Sequence, residues 1–380
     1  MKEVIKVLHV LQRMEPAGVQ ALLMNIYRHI DREKVQFDFL VHYTAPQFFD
    51  KEIEKLGGNL YRLSVREDYN FIKYQKQLHR FFHEHPEYRI VHGHMDSLGA
   101  FYLGVAEKYG VPIRIAHSHT NGMQNDAKKY LKLFTNQRYA KHATDLFACS
   151  DDAGRYMFRD QQFKVINNAI DSERFRFDDE KRTNKRKELG IQSKFVVGCV
   201  GRFAPCKNHK FSIDVFERVL ESNENAVLLL IGSGIMQDEI KMYVQEKGLE
   251  NVVLFLGNQR DMAELYMAMD VFLFPSLYEG LGIVGIEAQA AGTPTVCTDT
   301  LPKELSVTPL LTRLPLGDSK QWAQAVQSAA GSVESHSDMR KYIKEANYDI
   351  EGLVQYLMQF YISKQNQCFN ETGYEKSSIS

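Results

Sequence analysis

An α/β fold with two doubly wound parallel sheets is predicted by three observations. Short apolar runs alternate with longer helix-period segments along the whole chain. The alternation restarts after a charged stretch near 167–186. A chain of 380 residues is also long enough to bury two cores of ordinary size. Strands that alternate with helices imply parallel sheets covered on both faces.

The elements follow in order. Strands are expected at Val4–Leu11, Val35–His42, Arg89–His92, Ile113–His117, Asp145–Ala148 and Lys164–Ile166. Helices at Val19–His29, Phe71–His83 and Leu98–Tyr109 separate them. The segment DSERFRFDDEKRTNKRKELG has no sustained apolar period and reads as a surface connection followed by a short helix. The rhythm then repeats as Phe195–Val200, Asn208–Leu220, Ala226–Ile231, Met236–Lys247, Val252–Leu256, Val271–Phe274 and Thr295–Cys297. A last helix is expected near Met339–Tyr361, and the polar tail after it has little to bury. This gives an N-terminal domain over 1–168 and a C-terminal domain over 169–344. A helix at about 345–365 is expected to pack back on the first domain, with a disordered tail over 366–380.

Composition narrows the class. Hydrophobic residues make up 44% and charged residues 25%, as in ordinary globular proteins. Residues 1–165 carry 24 Lys/Arg against 19 Asp/Glu, and the remainder 23 against 29. A basic first half suits an anionic partner such as a membrane surface; an uneven scatter of surface charge is the ordinary alternative. Nothing points to nucleic acid. The five cysteines have no CxxC spacing and read as reduced thiols of a cytoplasmic protein. MKEVIKVLHVLQRM is interrupted by Lys6 and reads as a first strand, not a signal peptide. No run approaches the ~18 apolar residues that span a bilayer, so any membrane contact is expected to be peripheral.

The segment from Phe274 to Val296, FPSLYEGLGIVGIEAQAAGTPTV, carries the most chemistry. A strand, a glycine-rich turn and a helix start leave free N–H groups that suit an anion. Glu279 and Glu287 flank that turn and cannot hold phosphate themselves. They can accept hydrogen bonds from neutral hydroxyls on either side of it. A diphosphate with a polyhydroxylated group at each end fits, and that is a nucleotide sugar. In GRFAPCKNH (201–209), Arg202 and Lys207 stand between a strand and a helix, where two cations suit a leaving diphosphate. Two solvated loop cations are the plainer alternative.

With LLLIGSG (228–234), VLFLGNQRDM (253–262) and PAGVQALLMNIYR (16–28) added, the chain resembles the GT-B fold glycosyltransferases of family 4. The likeness covers roughly residues 4–365 and is nearest to bacterial members that build exopolysaccharide or capsule. The resemblance implies two Rossmann-like domains facing across a cleft. It also implies a retaining transfer from a nucleotide diphosphate sugar, with a UDP-linked donor expected, to a hydroxyl of a sugar or lipid-linked acceptor. No cofactor and no metal are implied.

Roles carry over residue by residue. Arg202 and Lys207 match the pair on the donor diphosphate. Glu279 matches the acid on the transferred sugar and Glu287 the acid on the ribose. N–H groups of Gly280, Leu281, Gly282, Ile283 and Val284 complete the cradle, and Gly257, Asn258 and Arg260 fall where the base is expected. Gly18 opens the first helix, but the family's usual glycine pair is Ala17 and Gly18 here. His119 of HSHT matches the histidine near the donor sugar, with His117 the competing assignment and His94 of HGH a further candidate for the same cleft. These histidines lack a compact metal-ligand spacing.

KKYLKLFTNQRYAKH (128–142) is basic with interleaved apolar residues. It reads as a helix packed on its own sheet, with contact to an anionic bilayer as the alternative. Two rival functions share the fold: a sugar-nucleotide epimerase and a non-catalytic partner protein. The first would change the donor without an acceptor, and the second has no reason to keep Arg202, Lys207, Glu279 and Glu287.

Overall fold

The computed structural model describes residues 4–119, 139–259, 261–332 and 334–377. The chain divides into two compact units. Met1–Ala169 with Ile350–Ser380 forms the first, and Ile170–Asp349 the second.

The first unit holds seven parallel strands: β1 Ile5–Val10, β2 Val35–Val41, β3 Leu60–Arg62, β4 Ile90–Gly93, β5 Ile113–Ser118, β6 Asp145–Ala148 and β7 Lys164–Val165. Their order is β3-β2-β1-β4-β5-β6-β7, so the winding reverses between β1 and β4. Alternate residues of β1 serve opposite faces. Ile5 and Val7 join one core with Phe37, Phe39 and Phe147, while Leu8 and Val10 join the other with Tyr74, Leu78 and Tyr102. Burial on both faces explains why the strands read as nearly continuous apolar runs.

The second unit holds β8 Phe195–Val200, β9 Ala226–Ile231, β10 Val253–Gly257, β11 Val271–Phe274, β12 Thr295–Thr298 and β13 Leu311–Leu314. Their order is β10-β9-β8-β11-β12-β13, with the reversal between β8 and β11. Helix His209–Leu220 and helix Ser319–Ala330 supply Phe216 and Trp322 to one face. Helix Ile283–Ala290 supplies Ile286 to the other. Two doubly wound parallel sheets are therefore observed.

Three expectations change. β3 and β13 are short strands of intermediate burial, and their lack of an apolar run hid them from the sequence. The helix expected over Met339–Tyr361 is two helices, Arg340–Glu345 and Ile350–Ser377. Asn347, with φ 59°, and the bridge between Ile170 and Asp349 separate them. The polar segment after Tyr361, expected as a disordered tail over 366–380, instead continues that last helix to Ser377. Its apolar stripe, Ile350, Val354, Leu357 and Tyr361, has helical spacing and joins the first unit's core. Residues 128–138 of the basic segment lie outside the described residues, whereas Tyr139 is fully buried. Among the described residues, no helix is long and apolar enough to cross a membrane.

Candidate functional site

In open parallel sheets, ligands bind beyond the carboxyl ends of strands where the winding reverses. In the second unit that point lies between β8 and β11. The loops leaving these strands are 201–208 and 275–282, and they touch: the Leu277 N–H donates to the Cys206 carbonyl at 2.8 Å. Residues Pro205–Lys207 form a 3₁₀ turn, and Asn208 takes a left-handed conformation before helix His209–Leu220. This turn aims Lys207 across the loop pair. Its Nζ lies 2.5 Å from Glu279 Oε1, with both side chains mostly buried, and 5.6 Å from the centre of the Phe274 ring. Arg202, in the same loop, is exposed.

After Glu279 the chain turns through Gly280, Leu281 and Gly282 into helix Ile283–Ala290. Gly282 occupies the N-cap position with φ 82°, a left-handed conformation that suits glycine. It has no side chain to satisfy the first N–H groups, among them those of Ile283 and Val284. A Cβ at Gly282 would also stand 3.0 Å from the Phe274 ring.

Glu287 lies one turn further along this helix and is partly buried. Tyr266 donates its hydroxyl to Glu287 Oε2 at 3.1 Å. Burial pushes the Glu287 carboxyl up to about 7, against the Tyr266 hydroxyl and the Arg174 charge, which both lower it. It is thus poised between its two forms near neutral pH. Gly257 ends β10 with φ 64°, and the exposed Asn258 accepts from the Ser233 hydroxyl at 3.1 Å. Arg260 lies outside the described residues. The structure therefore brings Lys207, Glu279, the helix start and Glu287 into one loop-and-helix system of the second unit.

In the first unit the reversal lies between β1 and β4, and these strands with the adjacent β5 carry five histidines at or near their ends. Parallel register sets His9 of β1 beside His92 of β4. Period-2 alternation then places His94, His117 and His119 on the same face. His94 stands between His9, at 3.0 Å through Nε2, and His119, at 2.9 Å through Nδ1. His92 stands between His117, at 3.1 Å, and the Tyr361 hydroxyl, at 2.8 Å. Tyr139 ties the ends of β4 and β5 together. Its hydroxyl accepts from the His117 N–H at 3.1 Å and donates to the Gly93 carbonyl at 2.6 Å.

Burial holds all five imidazoles neutral at pH 7, with His9 and His119 lowered to about 3 and the other three well below 6.5. Sequence spacing showed no compact ligand set, but the fold makes one. Ligand atoms of His9, His92 and His94, and of His94, His117 and His119, lie within 4.8 Å of one another. In the structure these nitrogens mostly bond each other. Gly18 is the exposed first residue of helix Gly18–His29, after β1.

His9, Tyr266 and Tyr361 were not singled out in the sequence. His9 had one available signal, since VLHV sets a histidine among apolar strand residues. The tyrosines had none, because their partners lie 21 and 269 residues away.

Comparison with known proteins gives the family. Residues 181–348 match the family of glycosyl transferases group 1, and residues 16–174 match glycosyltransferase family 4. EpsF of Bacillus subtilis (strain 168), a protein named as a glycosyltransferase, is 33% identical over 94% of this chain and 96% of its own length. The UDP-Gal:alpha-D-GlcNAc-diphosphoundecaprenol alpha-1,3-galactosyltransferase of Escherichia coli is 24% identical over 78% of this chain and 79% of its own. Anabaena HepE, solved in complex with UDP-glucose, superposes with a TM-score of 0.77 at 18% identity, covering 94% of this chain and all of that one. The chain therefore belongs to the family 4 glycosyltransferases of GT-B fold, and it is a transferase.

Proposed function

We propose that this enzyme is a retaining glycosyltransferase that moves a sugar from a UDP-linked donor to a hydroxyl of a lipid-linked or polysaccharide precursor. One observation carries the donor reading. The loops after β8 and β11 meet at the switch point and set Lys207 against Glu279 beside a helix start that has no side-chain cap. A diphosphate arriving there finds a cation and N–H donors, and the two acids flank it to receive hydroxyls. Glu279 then takes the transferred sugar and Glu287 the ribose, while Gly257 and Asn258 lie toward the base. As the nucleoside diphosphate leaves, its growing charge is met by Lys207, Arg202 and the helix N–H groups. With no carboxylate pair needed as nucleophile, the departing phosphate accepts the acceptor's proton. Within the first unit, His119 is the residue read as a contact for a sugar hydroxyl.

The complex of HepE with UDP-glucose supports a UDP-linked donor, and the diphosphoundecaprenol substrate named for the Escherichia coli relative supports a lipid-linked acceptor. Both carry over by likeness. A cytoplasmic enzyme that works without metal and touches the membrane peripherally completes the reading. The test is incubation of the chain with a panel of nucleotide sugars, with and without extracted lipid-linked glycans. Transfer from a UDP-sugar that requires the acceptor and retains the anomeric configuration is expected. Interconversion of the donor without acceptor would establish the epimerase instead.

A further inference from the structure

We propose that Tyr361 is a positioning residue: through His92 it fixes the tautomer of His117, so that His117 presents its Nε2–H as a hydrogen-bond donor at the strand ends. A neutral imidazole has one N–H and one lone pair. In a chain of neutral imidazoles, the direction of one hydrogen bond therefore dictates the next. Burial keeps these rings neutral, as described above.

The chain from Tyr361 has an anchor. Its hydroxyl is buried in the first unit's core, and His92 Nδ1 is its hydrogen-bond partner at 2.8 Å. If the hydroxyl accepted from His92, its own O–H would point into that core with no acceptor among the described residues. An orphaned buried donor is costly, so the hydroxyl donates. His92 then carries its proton on Nε2 and donates to His117 Nδ1 at 3.1 Å. His117 must in turn carry its proton on Nε2. That nitrogen is buried and has no partner among the described residues. It is a donor awaiting an acceptor oxygen, of the kind that a sugar hydroxyl or ring ether supplies.

The second chain, His9, His94 and His119, has no such anchor. Its two ends, His9 Nε2 and His119 Nδ1, are both buried and have no partner among the described residues. Reversing every proton in it leaves each internal bond intact, so its polarity follows whatever meets His119. One chain is locked as a donor and the other adapts. A sugar hydroxyl both donates and accepts, and this pair of chains suits it. The assignment of sugar as the ligand rests on the proposed function; the tautomer does not.

The test uses the full chain labelled with ¹⁵N-histidine, with long-range ¹H–¹⁵N correlation at neutral pH and His117 assigned from His117→Gln. His92 and His117 are expected protonated at Nε2 alone. Tyr361→Phe should average those two signals and leave His9, His94 and His119 in place. In the same variant kcat is expected to fall about threefold to tenfold with the donor KM within about twofold, since a tautomer matters where the sugar reacts. An Nδ1-protonated His117 in the unaltered chain would overturn the assignment. So would unchanged His92 and His117 signals in Tyr361→Phe, or stoichiometric divalent metal in the purified chain that His117→Gln removes. Because the tautomer is read without ligand, a failure of transfer with every nucleotide sugar would count against the proposed function alone.

Discussion

At the switch point of the second unit the polar groups are charged and opposed, Lys207 against Glu279. At that of the first unit they are five histidines that burial keeps neutral. The same topology therefore hosts two kinds of polarity. A cation held by a carboxylate can exchange part of its partner's charge for an incoming diphosphate, whereas a row of neutral imidazoles has no charge to balance one. Neutral imidazoles do offer donors and acceptors at fixed points, which hydroxyls need. Under the proposed function, the difference suits the second unit to the anion, while the first offers contacts only to uncharged groups.

The strongest way to break this comparison is to remove the cation. Lys207→Ala should lower kcat and kcat/KM together by ~10²–10³, the cost of deleting a donor that acts on charge developed in the transition state. Glu279 is then left without its Lys207 contact, so circular dichroism must show that the fold persists. Arg202→Ala should cost less, because that side chain is exposed. A loss below about fivefold in Lys207→Ala would place the diphosphate elsewhere.

A smaller effect concerns Glu287. Its folded value of about 7 lies above the 4.5 of an unperturbed carboxyl, so between these values the folded state holds the extra proton. Stability from this group is present at low pH and is lost as pH rises toward 7. Glu287→Gln should therefore raise the melting temperature of the ligand-free chain at about pH 8 and hardly change it at about pH 5. The same substitution should weaken nucleoside diphosphate binding about tenfold at the higher pH, measured by calorimetry, if the carboxylate holds the ribose. Greater stability together with unchanged affinity would remove Glu287 from the donor site.

Much of this was legible in the sequence, for particular reasons. Glu279 and Lys207 each follow a strand in a loop, and strand ends are where such folds place ligands. Their direct contact was not legible, because it depends on β8 and β11 being neighbours although 72 residues separate the side chains. HGH and HSHT revealed themselves by i, i+2 spacing at strand ends. His9 is a single histidine in an apolar strand, and only the β1–β4 register brings it to the others. Tyr361 was read as the end of a helix, since the docking of Ile350–Ser377 on the sheet decides which of its residues point at His92. The edge strands β3 and β13 are too short and too exposed to carry a pattern.

The smallest expected effect is a separation between two acid transitions. An unperturbed histidine titrates near 6.5, whereas the five in the first unit take protons only well below that while folded. As pH falls below 6.5, the unfolded state of this unit binds more protons, so its stability declines. The second unit has two histidines with lowered values, His209 and His336, and Glu287 opposes them over the upper part of the same range. The first unit should therefore unfold at the higher pH. The chain's single tryptophan, Trp322, is fully buried in the second unit and reports on that unit alone. In an acid titration, loss of helical circular dichroism should begin before the Trp322 emission shifts. Replacing His9 with Gln should narrow the gap, since one fewer buried imidazole then waits to be charged. Coincident transitions would show the two units unfolding as one, and the difference between neutral and charged strand ends would then not reach their stability.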